Sequence, residues 1–65
     1  MSYEEKIEII LSNKLEYNGD NEKAISEVKT WLCCEWQCGM IDDTHDYTQL
    51  LTKVDEIADR MIKEL

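Results

Sequence analysis

The chain has little of what most functional classes require. Its longest aliphatic run is Ile9-Ile10-Leu11, far short of the roughly 20 residues of a membrane span. It carries 7 lysines and arginines against 15 acids, for a formal charge of −8. Such a surface repels nucleic acid and anionic membranes, which argues against both as direct partners and favours a basic protein surface. The cysteines number 3 and two of them are adjacent, unlike the even, dispersed set of a secreted disulfide framework. The opening stretch from Met1 to Lys6 is charged and lacks the form of a secretory signal. A reduced, cytoplasmic protein is expected. At 65 residues there is room for one domain, 1–65, whose core supplies roughly 3–5 kcal/mol. Walls for a catalytic cleft are not expected, and the single histidine offers no evident nucleophile–base pair. Neither an enzyme nor a cofactor is expected.

What is present is helical periodicity. Three amphipathic segments are separated by Asn18-Gly19-Asp20 and by Gly39 with Asp42-Asp43. Ser2-x-x-Glu5 has capping-box spacing, and Tyr3, Ile7, Ile10, Leu11 and Leu15 then share one helical face. Ile9 falls on the opposite side, either a lone exposed residue or part of an interface. The second segment begins at Asp20 or Asn21 and ends near Cys38, with Gly39 at the left-handed C′ position and Met40 set to fold back. The third begins at Asp43 or Thr44, with Asp46 suited to the helix dipole. Its apolar set, from Tyr47 through Leu50, Leu51, Val54, Ile57, Ala58, Met61 and Ile62 to Leu65, recurs over three heptads.

The fold class predicted is all-α: a small antiparallel three-helix bundle with helices at about 2–17, 21–38 and 43–64. The third helix, about 33 Å long, would overhang shorter neighbours, which suggests a homodimer or another partner. In the middle helix Ile25, Val28, Leu32 and Trp36 cluster, and Ala24, Trp31, Cys34 and Cys38 widen the apolar arc to about 200°. Two readings stay open there. Either this is the central helix, or Trp31 and its neighbours bind another chain. Trp31 and Trp36 lie about 140° apart, too far for one small core to take both easily. Glu35 falls inside the arc and needs solvent at the bundle edge, a lysine, or a partner's cation.

Metal sites have weak support. Cys34 and Cys38 share a helical face and His45 follows a turn later, which is the residue chemistry of zinc but not its usual paired spacing. No metal is expected. Cys34 and Cys38 read better as small buried hydrophobes, His45 as a surface imidazole, and Cys33 as the exposed thiol. The Asn18–Glu22 loop lacks the ligand positions of a calcium hand.

The acids carry the most functional information. From Glu35 to Asp59 stand Glu35, Asp42, Asp43, Asp46, Asp55, Glu56 and Asp59, with Lys53 the only base. Asp55, Glu56 and Asp59 oppose the apolar stripe of the third helix, and Asp42, Asp43 and Asp46 crowd the preceding turn. These seven are the candidate acidic contacts, and Ile9, Trp31 and Trp36 the apolar ones. A negative stripe of this kind can steer a protein toward a basic cleft, including one that normally holds nucleic acid, or can serve solubility alone. In general class, though in no specific motif, the chain resembles the small acidic helical accessory proteins of phages and mobile elements. Some of those inhibit host enzymes by imitating DNA. The expectation is an inhibitor or regulator docked on a larger basic protein. The alternatives are a homodimeric structural module and, behind it, a zinc-stabilised helical fold.

Overall fold

The computed structural model describes residues 2–64, and three helices account for most of them. They are α1 (Tyr3–Asn18), α2 (Asn21–Gln37) and α3 (Thr44–Glu64). Each boundary lies within one residue of its expected place, while Leu65 lies outside the described residues. Short-range chemistry sets those boundaries. Ser2 Oγ accepts the Glu5 N–H at 3.3 Å, the forward bond of the expected capping box. Gly19, at φ 68°, ends α1 in the left-handed conformation. Asp20 then caps α2, its Oδ1 accepting from the backbone of Glu22 and Lys23 at 3.1 and 3.3 Å. Asp43 caps α3 by accepting the His45 N–H at 2.9 Å.

The end of α2 is a full Schellman motif. Met40 N–H reaches Glu35 O at 2.9 Å, Gly39 N–H reaches Trp36 O at 3.2 Å, and Gly39 takes φ 84°. The side chain that returns to the core is Ile41, 5% exposed, whereas Met40 is 65% exposed. The expected fold-back of Met40 is therefore corrected. Met40 supplies the backbone bond and Ile41 the apolar contact.

The helices pack antiparallel in sequence, and each contacts the other two. The core is Ile7 and Leu11 from α1, Ala24, Val28 and Leu32 from α2, Ile41, and Val54, Ile57 and Ala58 from α3. Helix α3, at 21 residues, is about 31 Å long and spans nearly all of the 34 Å long axis. Its stripe is used within the bundle, where Tyr47, Leu50, Leu51 and Met61 pack on the core at both ends.

The two tryptophans are accommodated on opposite flanks of α2. Trp31 meets Tyr3 of α1, ring centroids 6.1 Å apart and tilted 48°, and Trp36 stacks on Tyr47 of α3 at 4.8 Å and 4°. Both are half-buried. Their angular separation is thus how α2 contacts two neighbours at once, not a sign that one of them is surplus.

The cysteines correct the expected rotation of α2. Cys33 is half-buried beside the Tyr47 side chain, while Cys34 and Cys38 are exposed. The buried arc runs from Trp31 through Leu32 to Cys33, as wide as expected but turned by about 60° at 100° per residue. The cause is the position of α3, which meets α2 along Lys29, Cys33 and Trp36.

Tyrosines in the two seams make stability sensitive to alkali. The Tyr3 phenol is raised above its ordinary 10.0, first by burial and then by the Glu35 and Asp42 carboxylates. Tyr47 is raised above 10.0 first by the neighbouring Cys33 side chain and then by burial. A raised folded-state value means that folding favours the protonated phenol. Its stabilisation is complete below pH 10 and is lost as pH rises through the folded values. Urea midpoints followed by circular dichroism are expected to fall as pH rises above 10. The fall should be shallower in the Tyr3→Phe/Tyr47→Phe double variant, and an identical fall in both proteins would remove the tyrosines as its cause.

Candidate functional site

The antiparallel order brings the start of α1, the α2–α3 turn and the start of α3 to one end of the bundle. Tyr3 marks the junction, its hydroxyl donating to the Met40 carbonyl at 3.4 Å. Around it lies an open, shallow groove of about 620 Å³, with Tyr3, Met40 and Leu50 as apolar lining and Glu4, Asp42 and Asp46 as acidic lining. No lysine or arginine lines it. Lys6 is close by, its ammonium 4.9 Å from the centre of the Tyr3 ring.

Six of the seven predicted acids divide into two groups with different electrostatics. Asp55, Glu56 and Asp59 are exposed on α3 as expected, but each has a lysine. Lys29 lies 3.0 Å from Asp55, Lys53 3.6 Å from Glu56 and Lys63 3.2 Å from Asp59. Ammonium groups interleave this row, so it is not an unbroken line of anions. Asp42, Asp43 and Asp46 are also exposed, and among the described residues none of them is in an ion pair. The sequence explains the difference, since no lysine or arginine occurs from Thr30 to Thr52. The remaining ion pairs, Glu8–Arg60 at 2.7 Å and Lys14–Glu27 at 3.5 Å, likewise join helix bodies away from the turn.

Glu35 is half-buried where α2 ends, at the rim of the bundle. Its carboxylate helps to raise the Tyr3 phenol, which places it on the same end as Asp42. Of the predicted apolar contacts, Ile9 is 49% exposed, while Trp31 and Trp36 are engaged with Tyr3 and Tyr47. The other large exposed hydrophobics are Tyr17 and Met40, at opposite ends of the molecule. Among the described residues, no three His, Cys, Asp or Glu side chains gather closely enough to hold a metal ion. Cys34, Cys38 and His45 are accordingly not assembled into a site. No described helix is long and apolar enough to cross a membrane.

Sequence reasoning missed Glu4, Tyr3 and Leu50 as neighbours of the Asp42–Asp46 turn. An available signal was topology. In an up-down-up bundle the first turn of α1 must lie beside the α2–α3 connection. Compared with family models, curated proteins and solved structures, the chain matches none.

Proposed function

We propose that this protein is a non-enzymatic binding module, an inhibitor or regulator that docks on a basic surface of a larger protein in a reducing cytoplasm. The observation that supports this most is the acidic end of the bundle. Glu4, Asp42 and Asp46 line a groove without lysine or arginine, whereas Asp55, Glu56 and Asp59, farther along α3, are matched by lysines of the same chain. A cationic partner gains more from carboxylates whose charge is not already offset, and clustering them at one end directs the encounter. The emphasis thereby moves from Asp55, Glu56 and Asp59 to Asp42, Asp43 and Asp46. Surfaces that normally hold nucleic acid have the required charge, and the small acidic accessory proteins of phages and mobile elements are the class this reading fits.

The test uses the immobilised protein and the heparin-retained protein fraction of its own cells. A partner is expected to be retained at low salt, to elute as salt rises, and to be lost from an Asp42→Lys/Asp43→Lys/Asp46→Lys variant that remains helical. Equal retention by that variant and the unaltered chain would overturn the assignment to this end. Retention insensitive to salt would overturn the electrostatic reading itself.

A further inference from the structure

We propose that the groove beside Tyr3 receives a single apolar side chain from a cationic segment of the partner, in which lysines or arginines flank a leucine-like residue. This rests on the reading above, that the chain docks on a basic protein surface, and it specifies how. The groove has both parts of such a site. Tyr3, Met40 and Leu50 provide apolar lining, and Glu4, Asp42 and Asp46 come from two helix starts and the turn between.

Met40 is the telling residue. The backbone of the Schellman turn needs an amide at this position, which any residue but proline supplies, and the core contact is made by Ile41. Nothing in the fold calls for a large apolar side chain at position 40, yet a methionine stands there 65% exposed. Unbranched and polarisable, methionine adapts to differently shaped apolar partners. The carboxylates then select the charge of what arrives. A purely apolar peptide leaves them without counter-charge, and a purely basic one leaves Met40 and Leu50 wet. A segment carrying both features satisfies both sets of groups, and an open groove suits an extended or helical segment better than a small enclosed ligand.

The experiment compares two acetylated, amidated peptides of equal charge, Lys-Lys-Leu-Arg-Lys and Lys-Lys-Ser-Arg-Lys. Each is titrated into the full chain and followed by amide chemical shifts and by the fluorescence of Trp31, which abuts Tyr3. The leucine peptide is expected to bind roughly tenfold more tightly, as burial of one such side chain implies. Its shifts should centre on Tyr3, Met40, Gln49 and Leu50. Met40→Ser, at an exposed position that leaves the core intact, should abolish the difference by weakening the leucine peptide. Asp42→Asn/Asp46→Asn should weaken both peptides. Equal affinity of the two peptides would overturn the apolar anchor while leaving docking on a basic surface standing. Shifts centred on Asp55 and Asp59 would overturn the location. Failure of both peptides to bind would count against both readings.

Discussion

Leu32→Ala is expected to leave the protein largely unfolded at 25 °C. Leu32 is fully buried in the middle of α2, the helix that contacts both neighbours. Truncating a buried leucine removes its transfer free energy and leaves a cavity, together costing about 2–5 kcal/mol. A core of this size supplies roughly 3–5 kcal/mol in all, so one side chain carries much of the total. The control is Ile9→Ala, at a position 49% exposed, where the cost should stay within about 0.5 kcal/mol. Ellipticity at 222 nm during urea and thermal unfolding reads both. A Leu32→Ala protein that still melts cooperatively only a few degrees lower would show that stability comes from outside this core. Self-association is the natural source, and it would reveal itself as a midpoint that rises with protein concentration.

The boundaries of the bundle were legible because they depend on local chemistry. Asp20, Gly39 and Asp43 cap helices through bonds to residues two to five positions away, and sequence displays such neighbours directly. The apolar stripe of α3 was legible for the same reason, as period alone defines a face. What the wheel does not contain is the azimuth at which a neighbour arrives. Helix α2 carries apolar and sulfur-bearing residues around more than half its circumference, so several rotations bury a similar area. The choice between Cys33 and Cys34 was settled by α3, through the contacts of Trp36 and Cys33 with Tyr47.

Charge was misread for a related reason. The acids of α3 looked unopposed because only Lys53 lies among them in sequence, but Lys29 reaches Asp55 across 26 positions. Lys63 meets Asp59 from one turn further along α3. Exposed pairs of this kind contribute little to stability, about 0–1 kcal/mol each. Their effect here is on the surface the molecule presents. They offset charge along the helix bodies, while the turn between α2 and α3 has acids and no lysine or arginine.

That turn also provides the second large expected effect. Ile41→Ala should destabilise the bundle by about 2–5 kcal/mol, whereas Met40→Ala, one residue away, should change stability by no more than about 0.5 kcal/mol. The two residues share the turn but have separate duties. Met40 gives its amide to Glu35 O at 2.9 Å and leaves its side chain in water, while Ile41 is 5% exposed and packs with the core. Truncating Ile41 opens a cavity where the start of α3 and the end of α2 meet, and Trp36 and Tyr47 stack in the same region. Near-ultraviolet circular dichroism should therefore lose the stacked-aromatic signal in Ile41→Ala and keep it in Met40→Ala, with urea unfolding giving the two free energies. Equal costs at the two positions would mean that Met40 does fold onto the bundle. It would then be part of the core rather than the exposed lip of the acidic groove, and the separation between folding and binding at this turn would be lost.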